Sequence, residues 1–204
     1  TELGGVAHVG WLLNRPEEAT NIHIPINEFA STHLAILAAT GSGKSYTASV
    51  LIEEMMRPTA RASLLVFDPH GEYGTLSEMQ GNEAFQGDDG YEPEVVFYDS
   101  ERLRVRISEL DIGDVMAILD DPSNRMQERL ASGWRAMQRK ESRTWGIDEL
   151  VTKMEQIYDE DDASVGALEW RLRRSIQRND LFHPEENVPL DEIVDPGQCT
   201  VLQM

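Results

Sequence analysis

Lysine is scarce in this chain of 204 residues, standing only at Lys44, Lys140 and Lys153. The other basic residues are arginines, and carboxylates outnumber them to a formal charge of −19. That excess argues against a generic nucleic-acid binder, because an acidic surface repels phosphate backbones. Dispersed Asp and Glu with little Lys also describe a surface adapted to high salt, where screening makes net charge a poor guide to partners. Both readings stay open. Cysteine occurs once, at Cys199, which excludes an internal disulfide and a Cys-rich metal site. Its apolar surroundings predict a buried, inert thiol. No apolar run reaches the ~18 residues of a membrane span, and no charged-then-apolar leader opens the sequence, so a soluble, cytoplasmic protein without a membrane partner is expected.

What is present is organised around His33 to Ser45, HLAILAATGSGKS. His33-Leu34-Ala35-Ile36-Leu37 reads as a short, buried parallel strand that runs into a glycine-rich loop. A helix follows, ending before Pro58, which cannot continue it. Ala38 to Ser45 fits the phosphate-binding pattern G-x-x-x-x-G-K-[ST] with one departure, Ala38 in place of the first glycine. The spacing has a chemical cause. Successive backbone N–H groups of such a turn wrap an anion, and the helix that follows adds the positive end of its dipole. Gly41 and Gly43 permit the tight, partly left-handed path. Lys44 reaches the β and γ phosphates, and the Ser45 hydroxyl is placed to ligate Mg²⁺. A methyl at Ala38 is compatible with the loop if φ there stays negative. Thr40, Gly41, Ser42, Gly43, Lys44, Ser45 and the adjoining Tyr46 are the nucleotide-binding candidates, with ATP and Mg²⁺ as cofactors.

Ahead of the loop, Val6–Leu13 and Ile22–Ile26 are β-like, with Asn14–Glu18 between them as a loop; residues 1–30 are expected to be the tail of a small β module. Beyond it, Ala62–Asp68 is a second buried strand, and the order strand, loop, helix, strand predicts a parallel α/β sheet. Gly74–Glu94 reads as a mobile surface loop. Val95–Asp99 is a third apolar run. Leu103, Val105 and Ile107 alternate with arginines, which suggests an edge strand. From about residue 108 to 196 the apolar period becomes helical, in stripes such as Met126-Leu130-Trp134-Met137 and Val165-Leu168-Leu172-Ile176, predicting a helical insertion. Gly197–Met204 returns to a strand. The expected layout is therefore a β tail (1–30), a P-loop core (31–107 with 197–204) and a helical insertion (108–196). A chain stopping inside an apolar strand is expected to be a fragment, with hydrolytic machinery beyond Met204.

Together the loop and the string Phe67-Asp68-Pro69-His70-Gly71-Glu72-Tyr73 resemble the HerA family of archaeal DNA translocases, which belongs with the FtsK-type hexameric motors. The string from Asp68 to Tyr73 is the more specific part, since phosphate-binding loops are shared by very many enzymes. The resemblance spans residues from about 6 to 204. It implies a RecA/FtsK-like P-loop NTPase core preceded by a β-barrel of which only the end is here. It also implies an ATP-driven, ring-shaped motor on double-stranded DNA, acting in end resection and repair beside a NurA-type nuclease. Thr40 to Ser45 carry over as nucleotide-binding residues, whereas the family's Asp-Glu strand end and downstream arginine have no counterpart in this sequence.

Among candidate catalytic groups, Lys44 neutralises charge on the transferred phosphate. Asp68 and Asp99 each end a four-residue apolar run. Asp68 is better placed: it either orients water on Mg²⁺ or caps the turn before Pro69. Glu72 is the candidate for orienting the attacking water. His70 is expected to be a hydrogen-bonding member of its loop rather than a base. Arg171, Arg173, Arg174 and Arg178, beside Glu169 and Asp180, read as a solvated face with local ion pairs, a trans-acting arginine finger being the alternative. Arg135, Arg139 and Arg143 are read the same way. No aromatic residue is expected to interleave with these arginines as a single-strand stacking platform would require. Two other functions remain in view: a nucleotide-gated assembly regulator, and a related P-loop motor of protein secretion.

Overall fold

The computed structural model describes residues 4–12, 20–142, 144–158 and 162–203. In chain order these form β1 (Val6–Trp11), β2 (Asn21–Pro25), α1 (Ile26–Ala30), α2 (Lys44–Met56), β3 (Leu64–Asp68), β4 (Glu94–Tyr98) and β5 (Val105–Arg106). They continue with α3 (Ile112–Ile118), α4 (Asn124–Gln138), α5 (Ile147–Ile157), α6 (Ala163–Leu172), β6 (Phe182–His183), α7 (Leu190–Ile193) and β7 (Gln198–Gln203). The chain divides into two compact units, Thr1–Asp99 with Pro189–Met204, and Ser100–Val188. The Asn14–Glu18 loop, Arg143 and Met204 lie outside the described residues.

The first unit is built on a parallel three-stranded sheet in the order β3-β7-β4. Leu64 to Asp68 pair with Cys199 to Gln203, and Glu94 to Tyr98 pair with Gln198 to Leu202. The central β7 is buried from Gln198 to Leu202, as a strand covered on both faces must be, and its polar Gln198 and Thr200 are satisfied by bonding each other and the Glu192 and Ile193 carbonyls. Met56 of α2, Val95, Cys199 and Val201 share one core, and burial pushes the Cys199 thiol up to about 12. The α/β class, the parallel sheet and the helix after the glycine-rich loop are as the sequence predicts.

The β1–β2 pair is antiparallel. It is fixed to α2 by Ala7, Ile26 and Leu51, which pack together, and by the buried Glu54, which accepts from the His8 backbone N–H at 2.9 Å and pairs with Arg57 at 2.6 Å.

Four local expectations are corrected. Residues 33–37 form no ladder with any described strand, and Leu34 and Leu37 are 52% and 93% exposed. An apolar run signals a need for burial; it does not supply the neighbouring strand that a ladder requires. Next, β3 is not buried on both faces, since Leu65 and Phe67 stay exposed on the sheet's outer strand. Gly74–Glu94 is not a surface loop throughout: 3-10 turns at Gly74–Met79 and Glu83–Phe85 tuck Leu76, Met79 and Phe85 into the sheet core. The Leu103–Ile107 alternation yields only a two-residue strand, β5, which pairs in parallel with β6 inside the second unit.

The second unit is helical. The sequence stripes become its core: Met126, Leu130, Trp134 and Met137 of α4 meet Leu150, Val151 and Met154 of α5 and Val165, Leu168 and Leu172 of α6. Trp134 and Trp145 meet edge to face at 4.8 Å between ring centres. Beyond Leu172 the helix widens into a π turn, Arg173–Gln177, in which Arg178 N–H donates to the Arg173 carbonyl at 3.1 Å.

Candidate nucleotide-binding site

The loop between residue 38 and α2 is shaped by two left-handed glycines, Gly41 (φ 79°) and Gly43 (φ 86°). An L side chain is strained at such angles, so glycine is needed at both. Ala38 is not among the positive-φ residues, which meets the condition under which a methyl replaces the usual glycine. The Ser42 hydroxyl donates back to the Ala39 carbonyl at 2.6 Å, as does the Ser42 N–H at 3.1 Å, tightening the turn from within. Gly43 then caps α2 without any side-chain hydrogen bond, and no acidic residue stands in the first helical turn. The opening N–H groups of this 13-residue helix therefore keep their donors for an outside acceptor, at the positive end of the dipole.

A cavity of about 400 Å³ lies against this helix start. Thr40, Gly41, Gly43, Lys44, Ser45 and Tyr46 line it from the loop side, and Glu72 faces them from the segment after β3. Lys44 is exposed and makes no ion pair among the described residues. Tyr46 is 76% exposed at the rim. Of the loop candidates, Ser42 alone does not line the cavity.

Glu72 is brought in by tertiary packing. The Ser45 hydroxyl donates to Glu72 Oε2 at 2.8 Å across 27 residues of sequence. Behind it, Asp68 is buried at the end of β3 and accepts from the N–H groups of Glu72 (3.0 Å) and Tyr73 (3.2 Å). Burial raises the Asp68 pKa, but these bonds, with the favourable field of the nearby His70 and Gly71 N–H groups, outweigh it and hold the carboxyl below its usual value. Asp68 thus binds its own loop and does not line the cavity, and neither does Asp99. Tyr73, which sequence reasoning passed over as a site residue, is half-buried next to Glu72, and burial, then the Glu72 and Asp68 charges, push its phenol pKa up. Its signal was its place in the Asp68–Tyr73 string.

The remaining arginines divide. Arg173 pairs with Glu169 and Asp148, as a solvated ion-paired face predicts. Arg171 instead donates to the Leu119 and Asp120 carbonyls. The expectation that no aromatic interleaves with them is overturned. Trp170 is 60% exposed, and the Arg174 guanidinium lies over its ring, 5.2 Å from the centre.

A glycine-turned loop leading into an uncapped helix, with a parallel sheet alongside, is the arrangement of a P-loop NTPase fold. The chain belongs to the family described as the central domain of helicase HerA, which matches residues 7–204. It is 24% identical to the DNA double-strand break repair helicase HerA of Pyrococcus furiosus, over 96% of this chain and 37% of that protein. To HerA of Saccharolobus solfataricus it is 46% identical, over 34% of this chain and 13% of that protein. To a probable helicase of Methanocaldococcus jannaschii it is 36% identical, over 57% of this chain and 18% of that protein. The chain therefore spans well under half the length of these relatives. Among solved structures, VirB4 of Thermoanaerobacter pseudethanolicus superposes with a TM-score of 0.57 at 16% identity, over 95% of this chain and 56% of that one, a likeness of fold.

Proposed function

We propose that this chain is the nucleotide-binding core of a DNA motor that couples Mg·ATP hydrolysis to movement on, and unwinding of, double-stranded DNA in break repair. The observation that carries the reading is the uncapped start of α2, with unpaired Lys44 and the Ser45–Glu72 pair facing one cavity. The names of the HerA relatives support DNA repair as the context.

The residues present fit the cofactors. Backbone N–H groups from Thr40 to Tyr46 match phosphate oxygens, and Lys44 supplies the charge that phosphoryl transfer needs on the β and γ oxygens. The Ser45 hydroxyl and the Glu72 carboxylate are hard oxygen donors of the kind Mg²⁺ takes. When bound, Mg·ATP supplies the labile phosphoanhydride. Glu72 orients the attacking water, Asp68 holds the Glu72 backbone in register, and Tyr46 borders the nucleotide. A homo-oligomeric, hexameric ring, a NurA-type nuclease partner and a role in end resection complete the proposal, supported by the family resemblance. The β1–β2 pair is read as the end of the family's β-barrel.

The test is Lys44→Ala in the intact protein. DNA-stimulated ATP turnover is expected to vanish, and turnover that survives this change overturns the assignment.

A further inference from the structure

The face of the second unit that carries Trp170 is the one place among the described residues where an exposed indole is stacked by an arginine that lacks a carboxylate partner. Arg174 and Arg178 make no ion pair there, in a chain whose described arginines otherwise mostly pair with Asp or Glu. In a straight α-helix, residues 170, 174 and 178 would drift by about 40° at each step. The π turn over Arg173–Gln177 widens the helix between them, which reduces that drift. Wide turns of this kind recur at functional sites.

The space beside these residues is formed. A cleft of about 370 Å³ is lined by Trp170, Arg171, Arg174 and Ser175, with Leu119 and Asp120 across it. Asp120 is the only carboxylate residue there, and its carbonyl is held by Arg171 at 3.0 Å. The turn before the indole is Gly166 and Ala167, and a Cβ built on Gly166 meets nothing within 4 Å. One face of the Trp170 ring carries Arg174, and the side chain stays 60% exposed.

From this geometry we infer that Trp170, Arg174 and Arg178 form a binding face for single-stranded nucleic acid. An unpaired base stacks on Trp170, and backbone phosphates lie against the two guanidinium groups. Exposed aromatic rings interleaved with basic groups are what single strands require, because every base has a π-face and every linkage a negative charge. A duplex offers the charge without the accessible base. An acidic protein would be drawn to the arginines but gives the open indole no flat partner. This site rests on the reading of the chain as a DNA motor, since separated strands are the product of a helicase.

The test is binding of fluorescent oligo(dT), and of a duplex of the same length, by the full chain and by Trp170→Ala, Arg174→Glu and Arg178→Glu, with circular dichroism and melting recorded for each. The wild type is expected to bind the single strand with salt-sensitive affinity. Trp170→Ala should weaken that binding about tenfold or more with the melt unchanged. Each arginine change should weaken it and flatten the log–log salt dependence by about one. The inference is overturned if the wild type does not bind oligo(dT), if Trp170→Ala and Arg174→Glu leave its affinity intact, or if Trp170→Ala weakens duplex and single strand equally. It is also overturned if the variants change only the sedimentation of the chain, which would assign the face to a second copy. ATP turnover in the Lys44→Ala protein reports on the motor reading alone, so the two failures are separable.

Discussion

At the scale of single residues, the site depends on a short chain of contacts: Asp68 holds the backbone of Glu72, and Glu72 meets the Ser45 hydroxyl. Removing the Glu72 charge should leave nucleotide binding nearly intact and cut turnover by about a hundredfold or more, the scale of a positioned acid–base group. Measuring ATP affinity and single-turnover rates on Glu72→Gln separates the two, and a variant with wild-type rate would deny Glu72 its part. Asp68→Ala leaves the part-buried Glu72 and Tyr73 N–H groups without their acceptor. The expected cost is about 1–3 kcal/mol in a denaturant melt, with a fall in turnover through the misplaced Glu72. Motif spacing singled out Lys44 and Ser45 because their placement is local: the backbone of one tight turn carries both to the cavity. Asp68 stood open between metal and turn, since both roles ask for an acid at the end of a strand. In the structure Asp68 accepts from the Glu72 and Tyr73 N–H groups, as a turn cap does.

At the scale of elements, α6 is anchored by Asp162, whose carboxylate caps the helix. The Ser164 N–H and hydroxyl chiefly, then Arg129 and Arg125, depress its pKa to about 2, against a smaller upward effect of burial. Its folded pKa lies below the unfolded value of about 3.9, so the contribution is complete above that value and is lost as pH falls toward 2. Asp162→Asn should therefore flatten the fall in melting temperature between about pH 4.5 and 2; an unchanged acid slope would place the linkage elsewhere. The α4–α5 contact is close at Gly133, where an added Cβ would overlap Met154 Cγ. Gly133→Val should destabilise the helical unit by about 1–3 kcal/mol in thermal melts through overpacking. The helices were legible because each buries a stripe of its own. Residues 33–37 were not, because whether an apolar run becomes a strand depends on which neighbour it finds.

At the scale of the whole chain, the formal charge of −19 loads both units with like charge. Screening reduces that self-repulsion, so the melting temperature should rise between low and high salt in a non-binding electrolyte such as NaCl. A fall would mean that the ion pairs outweigh the repulsion. No helix among the described residues is long and apolar enough to cross a membrane. The linear order of residues was enough to establish the phosphate-binding loop, the parallel α/β class and the helical stretch before the last strand, because spacing and period are local consequences of backbone geometry. Packing alone settled that Gln198–Gln203 supplies the middle strand of the sheet and that Glu72 crosses 27 residues to reach Ser45. Each of these joins groups through space, and no period along the chain encodes a distance across it.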